Sequence, residues 1–124
     1  MDIRSYKDLA VWKRSMDLTA RVYLVSASLP SDERFGLVSQ MRRAAVSVPS
    51  NIAEGRQRTS TKDFLRFLAI AAGSLAELET LIELANRLYQ LQSEQVHELA
   101  SEADEVGKML RGLQQKLEAR LPSP

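Results

Sequence analysis

The clearest helical pattern in the chain is Phe64–Tyr89, FLRFLAIAAGSLAELETLIELANRLY. Its apolar residues recur at alternating steps of four and three: Phe64, Leu68, Ala71, Leu75, Leu78, Ile82, Ala85 and Tyr89. Such a seven-residue repeat is typical of helices that pack against one another with a left-handed twist. Ser60, with Asp63 three residues later, resembles a capping box and predicts the helix start. Gly73, among alanines, predicts a close approach to a neighbouring helix.

The segments on either side carry the same rhythm. Before the long helix the apolar residues are Val38, Met41, Ala45, Val48 and Ile52. This spacing continues through Pro49, which predicts one helix that bends at the proline and ends near Gly55. The neighbouring Ser47, Ser50 and Asn51 either satisfy the backbone groups that the proline frees or line a small polar pocket. A fourth helix is predicted to begin near Ser93, with Val96, Leu99, Ala103, Val106, Leu110, Leu113 and Leu117 on its apolar face.

The first segment, roughly Tyr6 to Leu29, has two apolar stripes. One contains Leu9, Trp12, Met16, Ala20, Tyr23 and Ala27, and the other contains Val11, Leu18, Val22, Val25 and Leu29. They fall on nearly opposite sides of a helix. A helix on the outside of a monomeric bundle needs only one such stripe. We therefore expect the stripe with Trp12 to pack in the chain's own core. The second stripe then predicts a subunit interface formed by Val11, Leu18, Val22 and Val25.

Short connections link the four predicted helices. Pro30 ends the first, and Ser31 or Asp32 is placed to cap the second. The connections near Pro30, Arg58 and Gln92 favour antiparallel neighbours. The prediction is an all-α, antiparallel up-down-up-down four-helix bundle, with one domain over residues 1–121 and a loose tail at 122–124.

Composition removes several classes of chemistry. The chain has no cysteine, which excludes thiolate sites and disulfides, and it has one histidine, His97. Di-iron bundles need two Glu-x-x-His motifs, and only EQVH is present. No phosphate loop or catalytic triad is found, so we expect no catalytic residue, metal or cofactor, and no enzymatic activity. No apolar run approaches the roughly 20 residues of a membrane span, and the N-terminus does not resemble a secretory signal, which predicts a cytoplasmic protein.

Charge is unevenly distributed although the net charge is +1. Residues 34–66 hold seven basic and two acidic side chains, whereas residues 77–105 hold eight acidic and one basic. Two hypotheses remain open for the basic set. Guanidinium and ammonium groups can bind the phosphates of RNA or DNA. Alternatively, the arginines serve oligomer assembly in a protein-binding scaffold. The residues concerned are Arg42, Arg43, Arg56, Arg58, Lys62 and Arg66. The acidic run is interpreted as a solvated face or as ion-pair partners for these cations.

A resemblance adds to this interpretation. The stretches SYKDLAVWKRSMDL, LPSDERFGLVSQMRRAAVSVPSNIAEG and FLRFLAIAAGSLAELETLIELANRL are similar to the bacterial four-helix bundle proteins, also called 23S ribosomal RNA intervening-sequence proteins. The most specific block contains Gln40, Arg42, Arg43, Ser47, Val48, Asn51, Ile52, Ala53, Glu54 and Gly55. The resemblance implies a homo-oligomer, specifically a ring-like pentamer. It also extends to the accessory protein of diversity-generating retroelements, a basic pentamer that binds nucleic acid and a reverse transcriptase. It assigns no catalytic residues.

Overall fold

A computed structural model describes residues 5–122, which form four α-helices and no strand. The helices are α1 Ala10–Ser26, α2 Leu37–Arg56, α3 Thr61–Tyr89 and α4 Ser93–Glu118. Short 3₁₀ turns span Tyr6–Asp8 and Ser31–Glu33. The all-α prediction is confirmed. Ser123 and Pro124, which belong to the predicted tail, lie outside the described residues.

The helices pack in a ring in which α1 contacts α2 and α4, and α3 contacts the same two helices. Connections of four residues after α2 and three after α3 leave no room for a parallel return, so sequential neighbours run antiparallel. The heptad seam of α3 is buried from Phe64 to Ala85, and only its last member, Tyr89, is exposed. The predicted apolar stripes of α2 and α4 face the same core.

Local side chains set the helix ends. The Ser60 hydroxyl accepts a hydrogen bond from the Asp63 N–H at 3.0 Å, which confirms the predicted cap of α3. That helix ends where Gln90 adopts a left-handed backbone, with φ 49°. The start of α2 differs from the prediction, because it begins at Leu37 rather than after Ser31 or Asp32. There the Glu33 carboxylate accepts the Leu37 N–H at 3.2 Å and takes over the capping role.

The first helix is shorter than the predicted span from Tyr6 to Leu29. Leu9 has extended backbone between the 3₁₀ turn and Ala10, so α1 begins one turn late. At the other end, the Ser28 hydroxyl donates to the carbonyl of Val25 at 2.7 Å. Serine side chains that bond to nearby carbonyls compete with the helical ladder, and regular helix ends at Ser26.

The structure buries the second stripe of α1 rather than the first, although Leu9 and Trp12 at the start of the first stripe also pack against the core. Val11, Leu18, Val22 and Val25 are at most 4 % exposed and belong to the chain's own core. The prediction that they form a subunit interface is therefore wrong, because no surface remains for a neighbour to contact. Met16 and Tyr23 of the other stripe are 44 % and 42 % exposed. Ser15 and Ser26 also face inward, which is possible because each hydroxyl bonds to a carbonyl of its own helix.

Helix α2 continues through Pro49, as the rhythm predicted. Proline has no N–H, so the Ala45 carbonyl loses its usual helical donor. The Thr19 hydroxyl of α1 lies 3.1 Å from that carbonyl and 2.8 Å from the Ser15 carbonyl. The expected repair by Ser47, Ser50 or Asn51 is not what the structure shows. Asn51 bonds to Ser47, and the Ser47 hydroxyl contacts that of Ser74 on α3 at 2.7 Å.

The close approach between helices lies at Gly55, not at Gly73. A Cβ on Gly55 would be 2.7 Å from the Cβ of Phe67 and 3.0 Å from Cδ1 of Phe64. A Cβ on Gly73 would meet nothing within 4 Å. The end of α2 therefore packs so closely on α3 that no side chain fits between them at Gly55. This packing places the α2–α3 turn against two phenylalanines.

Candidate functional site

The six cations selected from the sequence form two groups. Arg42 and Arg43 lie near the start of α2, whereas Arg56 ends that helix. Arg43 and Arg56 are thirteen positions apart, which corresponds to roughly 20 Å along the helix. Arg58, Lys62 and Arg66 follow Arg56 around the α2–α3 turn. We name the two regions after their most prominent side chains. The Phe35 end comprises the α1–α2 and α3–α4 connections, and the Arg58 end comprises the α2–α3 turn, the start of α1 and the end of α4.

At the Arg58 end, two arginines enclose one phenylalanine. The guanidinium carbons of Arg58 and Arg66 lie 4.7 and 4.5 Å from the ring centre of Phe67. Glu54 pairs with Arg58 at 2.9 Å, and Asp63 pairs with Arg66 at 3.3 Å. These contacts hold both guanidiniums in place. The ion pairs are exposed and contribute little, about 1 kcal/mol at most, so a phosphate can compete for the arginines.

A cleft of about 850 Å³ opens beside this turn, between the first turn of α1 and the last turns of α4. Its apolar wall is formed by Leu9, Val11, Phe64, Met109, Leu113 and Leu117. Its basic side chains are Arg56, Arg58, Lys116 and Arg120, and no carboxylate of the described residues lines it. The apolar wall and the basic rim together suit an anionic ligand.

Sequence reasoning missed two of these cations. Lys116 lies in the last turn of α4 and Arg120 just beyond its end, more than fifty residues from Arg58 in the chain. The up-down-up-down order brings the end of α4 beside the α2–α3 turn. The predicted topology could have identified these two cations, because it predicts which helix termini lie at the same end of the bundle.

At the Phe35 end, Arg42 is used within the chain. It donates to the Ser26 hydroxyl at 3.0 Å and to the Tyr23 carbonyl at 3.2 Å, and its guanidinium carbon lies 4.5 Å from the Tyr23 ring centre. A cation at the C-terminus of α1 is favoured by the helix dipole. Arg43 is exposed beside it. The structure thus gives Arg42 a role in joining α1 to α2.

Exposed apolar side chains surround this second group. Phe35 is 87 % exposed, and the guanidinium carbon of Arg34 lies 5.3 Å from its ring centre. A shallow hollow of about 700 Å³ contains Phe35, Tyr23 and Val46 together with arginines 34, 42 and 43. The large exposed apolar residues of the described helices lie on α1, α2 and α3, and none lies on α4. The described surface of α4 is therefore more polar than that of the other three helices.

Four of the eight carboxylates of the acidic run form ion pairs in the part of the chain that the structure describes. Arg21 of α1 bonds to Glu98 at 2.7 Å and to Glu102 at 2.6 Å, which joins α1 to α4. Glu83 pairs with Arg87, and Asp104 pairs with Lys108, each within one helix. In residues 5–122 no three histidine, aspartate or glutamate side chains gather as metal ligands. Over the same residues, no helix combines the length and apolarity that crossing a membrane requires.

Comparison with known proteins places this geometry in a family. Residues 7–112 match the model of the 23S rRNA-intervening sequence protein. The fold is similar to the crystal structure of a protein with unknown function from the S23 ribosomal protein family of Bacteroides thetaiotaomicron, with a TM-score of 0.78 and 26 % sequence identity. That match covers 85 % of this chain and 98 % of the other. No curated protein matches the chain. Neither description names a reaction, and the extent of the family match shows that the chain belongs to the 23S rRNA-intervening sequence protein family.

Proposed function

We propose that the protein is a non-enzymatic, homo-oligomeric binding module that contacts the RNA or DNA backbone through its Arg58 end. The observation that carries the proposal is the basic rim of the cleft, formed by two cations of the α2–α3 turn and two at the C-terminal end of α4. Lys62 and Arg66 extend the basic surface beyond the rim and are exposed. Guanidinium groups stay charged and bind phosphate oxygens in pairs, which suits a polyanion.

The expected binding mode follows from the aromatic residues of this end. Phe64 and Phe67 are 8 % and 7 % exposed, so neither ring is available to stack on a base. Contacts to phosphates without base readout give affinity with little sequence preference and a steep dependence on salt. The six cations of the Arg58 end are therefore expected to distinguish nucleic acids weakly by sequence.

Charge reversal tests the proposal. We expect Lys62→Glu with Arg66→Glu to lower the affinity for a labelled single-stranded RNA at least about tenfold at low salt. The slope of log affinity against log salt should decrease in magnitude by about 1.4, because two phosphate contacts to a single strand are lost. Fluorescence anisotropy across a salt series measures both quantities.

A matched control uses two cations that do not line the cleft. Arg87→Glu with Lys108→Glu changes the net charge equally and also removes cations that pair within their own helices. This control should retain the affinity and the salt slope. Equal losses in both variants would mean that only the overall charge matters, and no loss in either would reject the Arg58 end as the contact surface.

A second role, assembly, is favoured at the Phe35 end. The exposed stripe of α1, with Met16 and Tyr23, adjoins the hollow that contains Phe35 and Val46. Apolar surface of this kind on a soluble bundle marks an interaction site. We assign the subunit interface of the proposed homo-oligomer to this side, where Arg34, Arg42 and Arg43 serve assembly. The resemblance to pentameric relatives sets the expected mass at five chains.

Light scattering tests this assignment. Met16→Asp with Val46→Asp should give a smaller particle while the helical circular dichroism signal is retained, since both residues are exposed in the single chain. Val22→Asp is the contrasting variant, because Val22 has no exposed surface and a buried carboxylate should unfold the chain. If the first variant keeps the particle mass of the unaltered protein, the interface lies elsewhere.

A further inference from the structure

We propose that the cleft at the Arg58 end binds an amphipathic anion, with an aliphatic chain against the apolar wall and its carboxylate or phosphate at the basic rim. The proposal concerns a small molecule and does not require nucleic-acid binding. It uses the interior of the cleft, whereas the proposed nucleic-acid contact extends over Lys62 and Arg66 outside it.

The size and lining of the cleft favour an aliphatic body. Its volume of about 850 Å³ lies within the usual range for ligand pockets, roughly 300–1,000 Å³. The wall is formed mainly by leucine, valine and methionine side chains, and its single ring, Phe64, is 8 % exposed. The polar lining residues lie at the turn and at the end of α4. A nucleobase would need hydrogen-bonding groups within the wall, whereas an alkyl chain needs none.

The rim favours an anionic head group. Lys116 lies in the last turn of α4 and Arg120 two residues beyond its end, so two like charges that repel each other line the same cleft. Neither forms an ion pair with a carboxylate in the part of the chain that the structure describes. Arg58 faces the same cleft, and its partner Glu54 is exposed and replaceable. The start of α3, with Ser60 and Thr61, adds the partial positive charge of a helix N-terminus. An anion in the cleft would relieve this repulsion.

The C-terminal half of α4 leaves room for the ligand. Gly112 lines the cleft, and a Cβ at this position would meet nothing within 4 Å. A larger side chain here would occupy the cleft without clashing with the bundle. Gly112→Leu is therefore a direct test of whether the space is used.

The ligand experiment uses the full-length protein and isothermal titration calorimetry with decanoate. We expect one site per chain. Acetate should bind at least about a hundredfold more weakly, because it lacks the alkyl chain. The neutral 1-decanol should bind about tenfold more weakly, because it lacks the charge. Decyl phosphate should compete with decanoate. Adenosine monophosphate binding as tightly as decanoate would overturn the aliphatic assignment in favour of a nucleotide.

Two glycine variants locate the site. Gly112→Leu should lower decanoate affinity at least about tenfold, whereas Gly73→Leu should leave it unchanged, since Gly73 also has open space but lies away from the cleft on α3. Both replace a helical glycine and should retain or raise the thermal midpoint, which confirms folding. Unchanged decanoate affinity in Gly112→Leu would overturn the proposal.

A third variant separates this inference from the proposed nucleic-acid role. Lys62→Glu with Arg66→Glu should weaken RNA binding and retain decanoate binding, while Gly112→Leu should do the reverse. If decanoate gives no binding to the unaltered protein, the ligand site is rejected and the RNA result is unaffected. Loss of decanoate binding in the Lys62 and Arg66 variant would also contradict a site confined to the cleft.

Discussion

The two ends of the bundle are built by different means. At the Arg58 end, α2 and α3 meet at Gly55, and the turn packs on buried phenylalanines. At the Phe35 end, the connection includes a 3₁₀ turn and an exposed phenylalanine, and its cross-links are polar. One is the contact between Tyr89 and Glu33, and another joins Arg42 to Ser26. A tightly packed end can hold cations in fixed positions, whereas an end with exposed apolar groups leaves surface for another chain to cover.

The largest difference between the ends is expected for their phenylalanines. Phe67→Ala removes a buried ring that also supports two guanidiniums, and should lower the free energy of unfolding by about 3 kcal/mol. Phe35→Ala removes a ring that is 87 % exposed in the single chain, so it should change the unfolding free energy of the dissociated chain by no more than about 0.5 kcal/mol. Urea unfolding followed by circular dichroism compares the two. Similar losses would mean that Phe35 is already covered in solution, as an assembled protein would require.

The glycines give the next effect. Gly55→Ala forces a methyl group to within 3.0 Å of Phe67 and Phe64 atoms, and should cost about 1–3 kcal/mol of unfolding free energy. Gly73→Ala is the control in open space, where alanine should stabilise the helix by up to about 1 kcal/mol. Thermal unfolding measures both. If Gly55→Ala does not lower the free energy of unfolding, the Arg58 end can rearrange to accommodate the methyl group and is less rigid than its packing indicates.

A smaller effect is expected between the ends, where α1 supports α2. Thr19→Ala should cost about 1 kcal/mol, because the Ala45 carbonyl loses its hydroxyl donor. Thr80→Ala is the control, since the Thr80 hydroxyl bonds to the Ala76 carbonyl on an exposed surface. Adding Pro49→Ala should abolish the cost of Thr19→Ala, since residue 49 then supplies an N–H. If the two substitutions have additive effects in this double-mutant cycle, the contribution of Thr19 does not depend on Pro49.

The smallest effect concerns pH at the Phe35 end. The Tyr89 hydroxyl donates to Glu33 and lowers the pKa of that carboxyl below its ordinary 4.5, and the Leu37 N–H acts in the same direction. The same bond raises the pKa of Tyr89 above its ordinary 10.0. The stabilisation from Glu33 is present above pH 4.5 and is lost as pH falls through its lowered pKa. That from Tyr89 is present below pH 10.0 and is lost as pH rises through its raised pKa.

Removing the tyrosine hydroxyl tests this contact. Tyr89→Phe should raise the pKa of Glu33 towards its ordinary value, measured by carboxyl NMR titration, with little change in stability at neutral pH. Tyr23→Phe is the control, because Tyr23 contacts Arg42 rather than Glu33. An unchanged Glu33 titration in the Tyr89 variant would mean that the contact does not persist in solution.

Sequence periodicity predicted the bundle because the signal for each helix is local. The seam of α3 has one unambiguous face, so both its existence and its orientation were correct. For α1, two stripes of similar apolarity predicted a helix but did not indicate which of its faces is buried. The inward face contains Ser15 and Ser26, which look polar in the sequence yet satisfy their hydroxyls within the helix. Which face of α1 points inward is therefore determined by tertiary packing.

The candidate site was predicted only in part for a related reason. Arg56 and Arg58 were found because they lie in a basic segment, whereas Lys116 lies in a helix of mixed charge and Arg120 just beyond its end. Only the topology brings the four together. The position of the close helix contact was also missed. Alanines around Gly73 suggested tight packing, but a glycine is needed where another backbone approaches, and that place is Gly55.

The hydroxyl that α1 contributes to the proline-containing helix has an evolutionary consequence. Proline at position 49 leaves the Ala45 carbonyl without an N–H donor, and the hydroxyl at position 19 replaces that donor. The two positions should therefore change together among related sequences. A relative that carries proline at 49 should keep serine or threonine at 19, whereas one that has lost the proline is released from that requirement.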